Sequence, residues 1–416
     1  MILTTLGAHE VIATLTALAL LLLGAFTFGR IVEMCKGPRV VGEILGGMLL
    51  GGSGLFLLAP DFMDGIFRAF PEEGKVLNVF YQLGLIFLMF LSGFSTRIDM
   101  NRRKARTVAA IFLGATVIPM VASIPFFDGF QEFFIGEKNN VFSYRLVFAI
   151  GVAITSIPVI SKIFFDMGIM ETRFANTVLT VATFQDLCLW IFLNIATHVA
   201  ESGNLDAWDT ATVAVATLGM FVLVTLAGKL MRRVEKSVPA HIFYTLSFVA
   251  LLLVCALLYR VGINTMYSAF IVGYIVKTLF GENAETRDRI KHLEQFTFSF
   301  FVPIYFALVG VQLNVFHDFS LARFALFFAI AFGLEFLGTW LFLFRMGRAA
   351  RLNFAITMNA RGGPGIVLAT VAYDAKIISV EFFTVLILTT MLSSLIAGYW
   401  LRAQQKRDAD VFEQCG

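Results

Sequence analysis

Charge is what this sequence is short of. Charged residues make up 15% of its 416 positions, against roughly 25% in a soluble globular protein, so the chain lacks the polar surface to cover a water-facing core. Cysteine is scarce as well. Cys35, Cys188, Cys255 and Cys415 are widely scattered, with no CxxC or metal-spaced pair among them, and we read them as reduced and structural. No basic, aromatic-interleaved patch is present and the net charge is only +3, so nucleic acid is not an expected partner. The histidines His9, His198, His241, His292 and His317 form no HExxH pair, and the Tyr-Asp of "AYDAK" has no GxGD companion. An intramembrane enzyme therefore lacks its signatures. No loop resembles a channel filter assembled around a pore. The first apolar stretch has no basic region before it and no clear small-residue cleavage site after it, which argues against a removed signal peptide.

What the chain has in abundance is apolar length. It is 58% hydrophobic, with a mean hydropathy of +0.82, and we read it as an all-α integral membrane protein. A span needs about 20 apolar residues. That ruler gives thirteen candidates, at 9–29, 39–57, 75–95, 107–127, 144–165, 171–199, 208–231, 240–261, 264–281, 296–312, 320–344, 350–371 and 380–402. The connections alternate in charge. Arg30, Lys36 and Arg39 follow the first span, and Arg97, Arg102, Arg103, Lys104 and Arg106 follow the third. Arg232, Arg233 and Lys236, then Arg345, Arg348 and Arg351, then Arg402, Lys406 and Arg407 continue the series. The intervening loops carry Asp61, Asp64, Glu72 and Glu73, then Asp128, Glu132 and Glu137, then Glu201, Asp206 and Asp209. Basic loops stay in the cytoplasm, so the expectation is a multi-pass protein of the cell (inner or plasma) membrane, N-terminus outside and C-terminus cytoplasmic.

The two halves echo each other. "FLSGFSTRID" after the third span matches "ALVGVQLNV" after the tenth, and "TSIPVI" in the fifth matches "RGGPGIV" in the twelfth. The offset is roughly 210 residues and seven spans. Seven is odd, so the second copy enters the membrane upside down. Inverted repeats with helices broken at matching places are the architecture of secondary transporters. In the fifth span the break falls at Thr155, Ser156 and Pro158, where proline strips a backbone donor and the hydroxyls bond locally. In the twelfth it falls at Asn359, Gly362, Gly363, Pro364 and Gly365. Unwound backbone at this depth is tolerated only inside protein or beside a water-filled cavity. Two proline kinks serving only helix packing would leave the matched placement unexplained.

Within "VATFQDLCLW" lies a bare acid, Asp186, in the span that follows the first break. A charge at the bilayer centre costs ~3 kcal/mol even on a lenient scale, so the acid is read as a site for a proton or a cation rather than a helix-bonding group protonated for life. Thr183, Gln185 and Asn194 are neutral oxygen donors on the same helix, suited to a hard monovalent cation. Glu43 and Lys162 are weaker candidates, the first structural and the second free to snorkel towards the surface. Gly46, Gly47, Gly51 and Gly52 permit close helix approach.

"GPRVVGEILGGMLLGGSGL" at 37–55, "TSIPVISKIFFDMG" at 155–168, "QD" at 185–186 and "MNARGGPGIVLA" at 358–369 resemble, in order, the cation:proton antiporter-2 family. The resemblance implies the sodium/proton antiporter fold: thirteen helices, a dimer domain, and a mobile six-helix core in which two unwound helices cross beside the essential acid. On that pattern 1–106 and 237–318 are dimer or scaffold helices, 107–199 and 319–402 the core, 200–236 a linker helix and 403–416 a short cytoplasmic tail. The regulatory nucleotide-binding domain of potassium-efflux relatives is not expected after it. Asp186 matches the ion-binding aspartate and Thr155 to Pro158 the first crossing. Gln185 matches a position that is aspartate in electrogenic sodium exchangers and glutamine in potassium-efflux members.

The resemblance implies a secondary active antiporter of K⁺ or Na⁺ against H⁺, working as a homodimer among membrane lipids, with no cofactor and no resident metal. The cation and proton site comprises Asp186, Gln185, Thr155, Ser156 and Thr183. One position departs from the family. "FGLEFLGTW" places Glu335 where the family usually has lysine. Glu335 is then a second titrating acid, the favoured reading, or a protonated structural group. Arg361 neutralises Asp186 or Glu335, or caps the helix break. The departure keeps open an exporter of an organic or divalent cation on the same fold.

Overall fold

Inside a bilayer an apolar run can satisfy its own peptide groups only by coiling into a helix. The computed structural model describes residues 5–95, 102–170, 172–203, 215, 219, 239–260, 263–280, 284–313, 315–316, 319–407 and 412. Among them, nine helices are long and apolar enough to cross a membrane, and Val141–Val152 and Thr265–Phe280 are shorter apolar helices. The expected span at 208–231 lies outside the described residues except for Val215 and Gly219.

The main helices are α1 (Ala8–Met34), α2 (Arg39–Leu50), α3 (Glu73–Ser95), α4 (Arg102–Phe112), α5 (Val141–Val152), α6 (Ile157–Asp166) and α7 (Arg173–Ser202). The series continues with α8 (Ala240–Tyr259), α9 (Thr265–Phe280), α10 (Phe301–Gln312), α11 (Leu321–Phe342), α12 (Arg348–Met358), α13 (Gly362–Asp374) and α14 (Val380–Arg407). A π turn, Leu113–Val117, continues α4 into Ile118–Ala122. The spans at 144–165 and 350–371, expected to be broken, are each two short helices, α5 with α6 and α12 with α13. The span expected at 296–312 begins earlier, at Glu285, because the charged segment before it is also helical (Ala284–Ser299).

Packing sorts the helices into two bundles. In one, α1 lies on α2, α2 and α3 lie on α10, and α9 joins α3 to α8. In the other, α7 packs on α4, α5 and α6, α11 packs on α12 and the π turn, and α13 packs on α14. Among the described residues, hydrogen bonds bridge the seam from Asn264 N to Asn194 Oδ1 at 2.7 Å, between Tyr305 Oη and Thr370 Oγ1 at 3.3 Å, and from Tyr399 Oη to the Cys35 carbonyl at 2.8 Å.

Reciprocal glycine contacts tie the halves of the chain together. A Cβ on Gly47 would strike the Ala307 carbonyl, and one on Gly310 the Ile44 carbonyl, which fixes α2 against α10. Gly93 and Gly273 meet the carbonyls of Phe270 and Phe90 in the same way between α3 and α9. Gly114 and Gly338 each approach the other's carbonyl, which brings the π turn onto α11. Helices that approach this closely need residues without side chains. On the inverted repeat expected from the motifs, the first pair would map onto the second and the third onto itself.

Candidate functional site

The two broken helices cross. Helix α5 stops at Val152 and α6 starts at Ile157, while α12 stops at Met358 and α13 starts at Gly362. Where the unwound segments touch, Ser156 N donates to the Ala360 carbonyl at 2.7 Å. The Thr155 hydroxyl lies 2.5 Å from the Met358 carbonyl and 3.1 Å from Glu335 Oε1. Each strand thus meets donors or acceptors of the other, which is how backbone freed from a helix survives at this depth. Ser156 Oγ also accepts from Val159 N at 3.3 Å and so caps α6. Gly362 has a φ of +36°. A Cβ there would overlap the Val159 side chain and Ser156 Oγ, so the crossing requires glycine for both its conformation and its closeness. Pro158 is the second residue of α6, Pro364 the third of α13, and Gly363 lies between Gly362 and Pro364.

The negative end of α5 faces a guanidinium. Arg361 donates from Nη1 to the Gly151 carbonyl at 3.0 Å and from Nη2 to the Val152 carbonyl at 2.9 Å. Nη2 also lies 3.0 Å from Glu335 Oε2. Arg361 therefore caps the helix break and pairs with Glu335 at once. Both side chains are buried, at 1% and 0% exposure. A buried charge survives only with a partner and hydrogen bonds, and here each has both. The formal charges of the pair sum to zero.

Asp186 has neither. It is 2% exposed, and neither carboxylate oxygen has a hydrogen-bond partner among the described residues. It borders a small cavity, with room for about one water, lined also by Ile150, Ile154, Trp190, Pro364 and Leu368. Residues from both broken helices thus wall the void beside the acid. No cluster of histidine, cysteine or acid suited to a resident metal occurs among the described residues.

The other residues singled out in the sequence divide. Thr155 and Ser156 are at the crossing, as above. Gln185, 0% exposed, is within hydrogen-bonding reach of Glu335. Its Nε2 faces the carbonyls of Ala153 and Ala115, the second at 3.3 Å. The Thr183 hydroxyl turns back to the Leu179 carbonyl of its own helix at 2.9 Å. Asn194 Oδ1 holds the Asn264 amide in the other bundle. Asn359 donates to the Ala355 carbonyl at 2.9 Å, and its Oδ1 has no partner among the described residues. Glu43 stands apart, paired with Arg39 at 2.8 Å. Ser394, not singled out from the sequence, accepts from Gly362 N at 3.1 Å. Its only signal is a serine pair inside an apolar span.

Similar proteins place the chain. Cation/H(+) antiporter 18 of Arabidopsis thaliana is 23% identical over 372 residues, 86% of this chain and 45% of that protein. Na(+)/H(+) antiporter NhaS4 of Synechocystis is 25% identical over 386 residues, 89% and 92% of the two chains. K(+)/H(+) antiporter 1 of Saccharomyces cerevisiae is 25% identical over 388 residues, 88% of this chain and 43% of that protein. The chain spans less than half the length of the Arabidopsis and yeast relatives. The solved structure of the sodium proton antiporter MjNhaP1 from Methanocaldococcus jannaschii at pH 8 superposes with a TM-score of 0.63 at 16% identity, over 98% of this chain and 100% of that one. The fold is therefore shared. The sequence pattern described as "Sodium/hydrogen exchanger, transmembrane" matches residues 17–404, and the chain belongs to that sodium/hydrogen exchanger family.

Proposed function

We propose that this protein is a secondary active antiporter that exchanges a monovalent cation, K⁺ or Na⁺, for H⁺, with Asp186 as the site both ions share. The observation that carries the reading is the acid itself, buried beside the helix crossing with neither oxygen hydrogen-bonded among the described residues. A carboxylate in that position is tolerated when a proton or a cation occupies it. The loaded forms cross and the empty, ionised form does not, and that rule couples the two fluxes. Relatives named for Na⁺ and for K⁺ support a monovalent cargo. Gln185 in place of a second acid supports the Gln-Asp branch of the cation:proton antiporter-2 family, electroneutral exchange and a lean towards potassium. Thr155, Ser156 and the crossing backbone supply oxygen near the acid.

Glu335 is read here as the counter-ion of Arg361 rather than as a second titrating acid. With that pair neutral, Asp186 carries the net charge of the site, which fits one proton against one monovalent ion. The exporter of an organic or divalent cation rested on an unbalanced Glu335, and the pairing takes that support away. The loop charges support an N-terminus outside and a C-terminus in the cytoplasm, and family likeness supports a homodimer.

The test uses purified protein in liposomes with a pH-sensitive dye, and adds Na⁺, K⁺ or Ca²⁺ to wild type, Asp186→Asn and Glu335→Gln. Proton release on adding Na⁺ or K⁺, abolished in Asp186→Asn, is expected. Silence of the wild type towards all three ions would sink the inorganic-cation reading. A response to Ca²⁺ alone would return the divalent one.

A further inference from the structure

Gln185 sits next to the ion-binding acid in the chain, but its amide nitrogen points elsewhere. The carbonyl of Ala153 belongs to the unwound end of α5, and Gln185 Nε2 donates to it. The carbonyl of Ala115 belongs to the π turn that continues α4, 3.3 Å from the same nitrogen. Both acceptors are carbonyl oxygens, so only one orientation of the amide satisfies them. Four residues after Ala115 comes Pro119. In a regular helix that residue's N–H would bond the Ala115 carbonyl, and proline has none to give. The turn there is already irregular, since Ile118 N reaches back to the Leu113 carbonyl. The acceptor stripped by Pro119 and the acceptor freed at the helix break are thus served by one side chain.

We propose that Gln185 is a positioning residue, a clasp that fixes the unwound end of α5 to the π turn and so holds the crossing at a set distance from Asp186. This rests on the antiporter reading above and adds to it the job of the glutamine. Cation binding falls to Asp186, while Gln185 governs turnover by holding the crossing through two backbone carbonyls. An acid at this position would set a carboxylate against two carbonyls and Glu335, all of them acceptors. A single change to Asp or Glu therefore disables the site rather than giving it a second titrating group.

The test is a rescue. Gln185→Met keeps the length of the side chain and removes the donors, and Gln185→Glu keeps the shape and inverts the bonding. Each is combined with Pro119→Ala, which returns an N–H to the Ala115 carbonyl. Cation-driven proton flux in proteoliposomes gives maximal rate and apparent KM separately. Each single Gln185 variant is expected to lose at least about tenfold in maximal rate with little change in KM, and the Pro119→Ala double variant to recover several-fold. Where a single variant does not fold, recovery of a monodisperse protein by Pro119→Ala supports the clasp in the same way. A raised KM at unchanged maximal rate would overturn the clasp and make Gln185 a ligand. Double variants no better than the single ones, in rate or in folding, would overturn it too. Failure of the antiporter reading looks different: wild type itself moves no protons, or Asp186→Asn is fully active.

Discussion

Replacing Arg361 with methionine removes three hydrogen bonds at once, those to Gly151, Val152 and Glu335. Breaking one side of a buried ion pair costs about 3–5 kcal/mol, because the remaining charge is left without compensation. The two carbonyls at the end of α5 lose their donors as well, at about 1–3 kcal/mol for each left unsatisfied. A native stability of about 5–15 kcal/mol cannot absorb that sum comfortably. Arg361→Met should therefore yield little folded protein, and what folds should melt well below wild type. Glu335→Gln should be milder. It leaves Arg361 with both helix carbonyls and the negative end of the α5 dipole, and it keeps an acceptor oxygen for Arg361. The double variant Glu335→Met with Arg361→Met should fall between them, since it removes both charges and retains only the carbonyl penalty. Fluorescence-detected size-exclusion chromatography of heated, detergent-solubilised protein measures all three. An Arg361→Met protein that melts with wild type, or a double variant weaker than Arg361→Met alone, would refute the assignment of the pair.

Other outcomes follow from single contacts. Gly114→Ala drives a Cβ into the Gly338 carbonyl; overpacking of this kind costs about 1–3 kcal/mol, read as a lower melting temperature, and an unchanged melt would mean that α11 can retreat. Gly362→Ala combines an unfavourable φ with overlap on Val159 and Ser156, and ion exchange should be lost even where the protein still folds, as assayed in liposomes. Asn194→Leu strips the acceptor from the Asn264 amide and should cost about 1–3 kcal/mol, again read by melting. If one acid serves both ions, lowering pH should raise the apparent KM for the cation by up to about tenfold per pH unit while leaving maximal rate alone, as simple competition requires; a KM indifferent to pH would mean separate sites.

Much of this arrangement was legible in the letters because proline, glycine and a lone acid are costly inside a bilayer. "TSIP" and "NARGGP" announce broken helices, and the structure has α5 and α12 end there. Asp186 stands out for the same reason. The choice Arg361 makes was not legible: capping, pairing with Asp186 and pairing with Glu335 were equally open, and only the fold brings α11 within reach of α13. Thr183 and Asn194 shared a helical face with Asp186 in the sequence, yet one hydroxyl bonds its own helix and one amide serves the other bundle. Spacing gives a face, and partners decide the use. The helix Ala284–Ser299 was hidden because a hydropathy ruler measures apolar length and ignores a charged helix that leads into a span.

The glycine contacts bear on how such a molecule can move. Each joins a helix of the N-terminal half to one of the C-terminal half, and all three lie within a bundle: two in the bundle of α1–α3, one in that of α7 and α11. The two halves of the chain are therefore interleaved, and neither bundle is one half. Any sliding of one bundle past the other would divide both halves of the chain along the same line. If the halves are inverted copies, as the matched motifs lead one to expect, a displacement that uncovers one membrane face has a symmetry-related counterpart at the other, already encoded in the same contacts. Two-sidedness would then need no second mechanism, only the same joint worked from its opposite end.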